Sequence, residues 1–428
     1  MKLWDKGITI DKKIEAFTVG NDREIDLHIV KYDILASIAH AEMLEKIDLI
    51  NTEELLQLKH GLNELLNDVK TAQFHIEDTF EDVHSKIEFE LTKRYGDVGK
   101  KIHTARSRND QVLVALHLYY KDAIVTIQKL INELFETLLN LAKDHSGNLL
   151  PGYTHMQVAM PSSFGLWFSA YAELLIDDLH LLKAAYHVVD QNPLGSAAGY
   201  GSSFPIDRDY TTNALGFSTL KYNVVAAQMS RGKSERTVAT ALASIAGTLS
   251  KFAMDICLYT SQNFKFISFP DALTTGSSIM PHKKNPDVFE LIRGTCNAIQ
   301  ALPTEITLIT NNLPSGYHRD FQLLKKNMIS NIEQLINVLG IMNFSIAQIN
   351  VHDVSLKDEK YQHLFTVDSI NNLVMEGVPF RDAYKTVSET IEKGQYTPDT
   401  SKKHSHIGSI HNLCLEAIRD KIKPLLSY

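Results

Sequence analysis

From residue 110 to about residue 145 the chain runs without a glycine or a proline. Apolar residues recur through this run at Leu113, Leu116, Tyr120, Ile124, Ile127, Ile131, Leu134, Leu138 and Leu141. Steps of three and four are the period of an α-helix with one buried face. A helix of roughly 35 residues reaches about 50 Å at 1.5 Å per residue, whereas the average globular helix has about 11–12 residues. A stripe that long has to be covered along its whole length, which implies a bundle of long helices. Similar runs span 162–190, 234–263, 286–312 and 320–349, with Pro303 a candidate kink in the third. Strand signals are few and short. The expected class is therefore all-α, in three domains. A helical domain over 1–109 precedes a central long-helix bundle over 110–350, and a small helical domain over 351–428 follows. The polar stretch 393–411, with Pro398, reads as a loop of the last domain.

Length and charge narrow the functions open to such a bundle. A chain of 428 residues exceeds one simple core. With 44% apolar and 22% charged residues it reads as an ordinary soluble protein. There are 43 basic and 51 acidic residues, for a net charge of −8. That field attracts neither nucleic acid nor anionic lipid, so an anionic substrate needs a local cationic pocket. Cys257, Cys296 and Cys414 form no CxxC pair and have no histidine cluster beside them. No disulfide framework or zinc site is expected, and a reducing, cytoplasmic setting fits. The first 17 residues carry charges throughout, with no apolar signal core. The most apolar stretch, 239–259, is broken by Lys251 and Asp255, so it reads as a buried helix rather than a membrane span.

The breakers between the helices hold the unusual residues: 103–108, 150–161, 192–209, 268–286 and 313–319. Loops on a rigid scaffold are where chemistry usually sits. Residues 276–285 read GSSIMPHKKN. Gly276 allows a tight turn, Ser277 and Ser278 offer hydroxyls, and Pro281 stiffens the loop. Lys283 and Lys284 add positive charge, Asn285 adds amide donors, and Pro286 suits the first turn of a following helix. A helix N-terminus is itself an anion site. The group suits a carboxylate or a developing carbanion.

This segment resembles the signature GSSxMPxKxN of the fumarase/aspartase superfamily, matching it at every fixed position. Members typically have a central bundle of long helices and form homotetramers, with each active site drawn from three subunits. Residues 103–112, HTARSRNDQV, are similar to the argininosuccinate lyase motif, with Ala105 where that family usually has glycine. Residues 152–161, GYTHMQVAMP, resemble its GYTHxQxAxP. Weaker matches are 81–84 (EDVH) ahead of Glu88, 192–208, 314–325 with Tyr317, Asp320, Gln322 and Lys325, and 377–384. The resemblance covers about residues 25 to 390.

The resemblance implies a lyase that splits argininosuccinate into arginine and fumarate by β-elimination, the last step of arginine biosynthesis. The main task is to stabilise an aci-carboxylate dianion. The residues it implies as catalytic are Ser277, His155 and Lys283. Which of Ser277 and His155 takes the proton stays open. The implied substrate contacts are Arg108, Asn109, Thr154, Asn285, Tyr317, Gln322 and Lys325. No metal and no cofactor is implied, and the partners are a small-molecule substrate and further copies of the chain. The chain departs from the family at several points. Asp22 stands at a substrate-binding serine, His282 at a glutamine, Leu323-Leu324 at an acidic pair, SRGKSE (230–235) at SxRDF, and Leu3-Trp4-Asp5 at a WGGRF-like start. A sister lyase on adenylosuccinate or aspartate, or an inert δ-crystallin-like structural protein, are the alternatives.

Overall fold

The computed structural model describes residues 11–355, 358–401 and 403–427. The variant start at Leu3-Trp4-Asp5 lies outside them. The long run is a single 37-residue helix, Arg108–Asp144. Its start is set by a reciprocal cap. The Asp110 carboxylate accepts the Ser107 N–H at 2.9 Å, and Ser107 Oγ accepts the Asn109 N–H at 3.3 Å. The expected stripe from Leu113 to Leu138 is buried, and at its far end Ala142 is buried in place of the half-buried Leu141.

Helices Phe164–Val189, Lys233–Tyr259 and Gln322–Ile346 fill three of the other expected runs. The run 286–312 instead splits into Asp287–Ile299 and Leu302–Thr310. Pro303 does not kink a continuous helix. It sits in the first turn of the second one, where a missing N–H leaves no bond unmade. Helix Lys233–Tyr259 is long and apolar enough to cross a membrane. Val238, Leu242, Ile245, Leu249, Phe252 and Ile256 are all buried at steps of three and four, as in a core helix. The strands among the described residues form four two-stranded sheets. The largest is the hairpin Leu149–Thr154 with Gln157–Ser163. The class is all-α, as expected.

The chain divides into two compact units that draw on the same long helices. The first holds the chain up to Ile127, Leu181–Ala246 and Ala298–Ile336. One of its cores gathers Ile34, Leu44, Leu58, Leu62, Val83 and Ile87 from helices Val30–Lys46, Thr52–Lys70 and Val83–Tyr95. A buried polar tie joins the same region: the Asp33 carboxylate meets His84 Nδ1 at 2.9 Å and the Gln111 amide at 2.9 Å. The second unit holds Gln128–His180, Gly247–Asn297 and the chain from Asn337 onward. Its core is rich in rings: Trp167 meets Phe168, Tyr171 and Phe252, and Tyr171 meets Phe252. The Asp255 carboxylate accepts from Trp167 Nε1 at 3.1 Å and from the Tyr171 hydroxyl at 2.6 Å. It satisfies the polar tips of two buried aromatics.

Candidate functional site

The first unit contains a cavity of about 410 Å³. Arg106, Arg108, Arg231, Arg319 and Lys325 line it, against the carboxylates Asp22, Glu81 and Asp82. It is the local cationic pocket that a chain of net charge −8 needs for an anionic ligand. Arg108 and Asn109 enter it from the first turn of helix Arg108–Asp144. Arg108 Nη1 lies 2.7 Å from Asp82 Oδ2, and Nη2 donates to Ser85 Oγ at 2.9 Å. Just upstream, Ala105 has a φ of 60°. This is the left-handed region where a side chain is strained and glycine is not, which accounts for the glycine of the related motif.

More of the lining comes from 317–325. Tyr317, Arg319, Gln322 and Lys325 all line the cavity. The Gln322 amide donates to the Thr18 carbonyl at 2.8 Å, and Arg319 donates to Gln322 Oε1 at 3.1 Å and to the same carbonyl at 2.9 Å. Arg231, at the variant segment 230–235, pairs with Glu235 at 3.1 Å and donates to the Phe321 carbonyl at 2.9 Å. The variant segment therefore keeps an arginine on the cavity wall and ties it to the element that carries Tyr317 and Gln322. The Leu323-Leu324 substitution does not touch the cavity lining, because Leu324 is fully buried and Leu323 is exposed.

The ionisation of this cavity follows from burial and pairing. Lys325 is buried, with Asp26 Oδ1 at 2.6 Å and Asp22 Oδ2 at 3.1 Å. Burial alone would depress its ammonium, but the two carboxylates outweigh it and hold the pKa above the usual lysine range. Asp22 is pushed up to about 6, by burial first, with Lys325 opposing and Asp26 adding to it. His84 also lines the cavity. Burial works against its charge, but Asp33 outweighs burial and raises its pKa. Its Nε2 is buried with no partner among the described residues. His103 is driven down to about 4 by burial and by Arg106 and Arg108, so it is neutral at pH 7.

The second unit carries the remaining candidates on two exposed loops. Thr154 pairs with Gln157 across a two-residue turn made by His155 and Met156. Both turn residues have positive φ, 52° and 60°. That is the hairpin turn usually built with Asn-Gly, and a methionine held there is strained. The turn keeps the His155 side chain exposed.

The segment 276–285 is a second small hairpin. Thr275 pairs with Asn285 and Gly276 with Lys284, closing a loop that holds Ser277 and Lys283. Ser277 Oγ accepts the Met280 N–H at 3.1 Å and the Ile279 N–H at 3.4 Å. Lys284 is paired with Asp271, whereas Lys283 has no carboxylate partner among the described residues. Asn285 leads into helix Asp287–Ile299.

The structure thus gathers Arg108, Asn109, Tyr317, Gln322 and Lys325 in the lining of one cavity. Thr154, His155, Ser277, Lys283 and Asn285 stand on two loops of the second unit. Sequence reasoning passed over Arg319, His84 and Asp33 as site candidates. The match at 81–84 was the signal for His84. Its buried partner Asp33 carries no motif of its own.

The fold is that of the fumarase/aspartase-type lyases. It superposes on an EDDS lyase variant with bound fumarate at a TM-score of 0.78, with 20% identity, covering 98% of this chain and 91% of that one. It also matches the class II fumarase of Schistosoma mansoni at a TM-score of 0.73, with 17% identity, over 96% and 94% of the two chains. The lyase family matches residues 6–301. Sequence relatives narrow the class. The argininosuccinate lyase of Parabacteroides distasonis is 53% identical over 425 residues, 99% of this chain and 95% of that protein. That of Bacteroides thetaiotaomicron is 54% identical over 97% of this chain and 94% of the relative. That of Thermotoga neapolitana is 43% identical over 91% and 98%. The chain belongs to the argininosuccinate lyase family, and it is an enzyme acting on a small molecule.

Proposed function

We propose that the chain splits argininosuccinate into arginine and fumarate by β-elimination, as the last step of arginine biosynthesis. The observation that carries the reading is the cationic cavity, where Arg108, Asn109, Tyr317, Gln322 and Lys325 meet in a chain half identical to argininosuccinate lyases. In the proposed mechanism Ser277 takes the proton from the succinyl carbon beside a carboxylate. The electron pair moves into that carboxylate, forming the aci-carboxylate dianion. The pair then returns to form the double bond of fumarate and expels the guanidino nitrogen, which takes up a proton delivered by His155.

Two features support this division of roles. The backbone N–H groups of Ile279 and Met280 on Ser277 Oγ favour its deprotonated form. Lys283, which no carboxylate neutralises among the described residues, is the cation for the dianion, with the Asn285 amide and the start of helix Asp287–Ile299 beside it. Arg108, Asn109, Thr154, Tyr317, Gln322 and Lys325 bind the substrate. No cofactor or metal has a part in this scheme.

The proposal includes a cytoplasmic homotetramer whose copies share active sites. It also keeps a three-domain division at 1–109, 110–350 and 351–428. The small separate core of Ile370, Ala383 and Val387 supports the last of these. The test is direct. Purified protein mixed with argininosuccinate should develop the ultraviolet absorbance of fumarate. Silence with argininosuccinate, alongside turnover of another succinyl-amine, would replace the substrate named here.

A further inference from the structure

Asp22 is an acid inside the cationic cavity. Its partner there is Lys325, one of the proposed substrate contacts. The two carboxylates on Lys325 are not equivalent. Asp26 is fully buried and held through both oxygens, Oδ1 by Lys325 at 2.6 Å and Oδ2 by the Val83 N–H at 3.2 Å. Asp22 lies on the cavity wall with its side chain 18% exposed, and it meets Lys325 at 3.1 Å. One ammonium therefore already faces two carboxylates. A substrate carboxylate arriving at Lys325 makes a third.

We propose that Asp22 competes with the substrate for Lys325, and that the substrate carboxylate takes over as the counter-charge of Lys325 while Asp22 takes up a proton. The step rests on the function proposed above. It is balanced: one proton passes from solvent to the Asp22 carboxylate, and no other bond forms or breaks.

The surroundings fit a group poised for this exchange. Asp26 on the same short helix and Asp82 at the start of helix Val83–Tyr95 both push against the Asp22 charge. Asp82 is held ionised: burial opposes this, but Arg108 and His84 outweigh it. Lys325, on helix Gln322–Ile346, is the cation that holds Asp22. Arg106, Arg231 and Arg319 line the cavity as permanent cations, and Glu81 faces Arg108 at 3.9 Å. Of the cavity histidines, His103 is already neutral above about pH 4. His84 is held charged by Asp33, so its own titration begins above the usual histidine range. Asp22 itself titrates at about 6, by burial first, with Lys325 opposing and Asp26 adding to it.

The experiment is the pH profile of KM for argininosuccinate, in wild type and in Asp22→Ser and Asp22→Asn. With Asp22 titrating at about 6, its protonated fraction falls from about a half at pH 6 to about 1% at pH 8, so KM should rise by as much as roughly 50-fold. Both variants should show a flat profile, and either suffices if the other fails to fold. A Ser277→Ala protein, whose turnover should be slow enough for binding to be measured, supplies a second readout. Calorimetry with argininosuccinate in two buffers of different ionisation enthalpy should give an uptake of about one proton per site near pH 7. Adding Asp22→Asn should abolish that uptake. A wild-type KM that is flat, or a slope that survives both substitutions, overturns the proposal. So does a KM that falls as pH rises, which would make Asp22 an anionic contact for the substrate's cationic half. Failure of the wild type to release fumarate at any pH sinks the proposed function and this inference together. Fumarate release with a flat KM sinks this inference alone.

Discussion

Lys283 and Lys284 are neighbours in the chain with different surroundings. Lys284 is tied to Asp271, so its charge is already answered. Lys283 is exposed on the loop between the paired ends of the hairpin. Lys283→Ala should lower kcat by roughly 10²–10³-fold, the usual loss when one group stabilising a developing anion is removed. Lys284→Ala should change it by less than about tenfold, because an exposed ion pair contributes little. Equal losses in steady-state kinetics would remove the distinction. Ala105 allows a second comparison. Its φ of 60° penalises a Cβ, so Ala105→Gly should raise stability by about 0.5–1 kcal/mol despite the greater freedom of glycine in the unfolded chain. A urea titration reads this as a higher midpoint with an unchanged slope.

Three helices, Val30–Lys46, Val83–Tyr95 and Arg108–Asp144, are joined by the buried group Asp33, His84 and Gln111. Removing one partner of a buried ion pair strands the other charge and costs about 3–5 kcal/mol. His84→Asn should therefore lower the melting temperature markedly. The pH dependence has a definite sign. The folded pKa of His84 is raised, so its contribution is complete below the unfolded value of about 6.5 and is lost as pH climbs through the folded value. Asp33 is held low, because His84, Arg106 and Gln111 outweigh the opposing effect of burial. Its contribution disappears only as pH falls below the usual carboxylate range. The melting-temperature gap between wild type and His84→Asn should narrow from pH 6 to pH 9, and a gap that widens would contradict the assignment. This tie also shows what sequence can and cannot reveal. The long helices were legible because a stripe of period 3.6 must be buried. The loop 276–285 was legible because few functions bring those residues together. Asp33 was not legible as a partner, since a lone acid in a helix looks solvated until the fold brings His84 to it. The split of 286–312 was missed for a similar reason: Pro303 marks the first turn of a new helix, and nothing in the residue type separates that from a kink.

At the scale of the whole molecule, the long helices keep an apolar surface that the described residues leave uncovered. Leu174 and Leu181 on Phe164–Val189, Leu291 on Asp287–Ile299, and Ile341 and Phe344 on Gln322–Ile346 are all exposed. Exposed apolar positions repeated along bundle helices favour association with further copies. The homotetramer proposed above predicts that size-exclusion chromatography with light scattering gives about four times the 48.2 kDa of one chain. The proposed sharing of active sites has its own consequence. Ser277 and His155 stand on different loops, and both are at turns whose side chains are not buried in a core. Ser277→Ala and His155→Asn should each fold, and each should lose roughly 10²–10⁴-fold in activity, as when an acid or base is removed. If one copy supplies Ser277 and another supplies His155, a mixed assembly contains some sites with both residues intact. Co-expressing the two variants should then restore activity that neither has alone, and mixing them without subunit exchange should not. If co-expression recovers nothing although mass spectrometry shows mixed assemblies, both residues of a site come from one chain. In that case the exposed helix faces would serve association without serving catalysis.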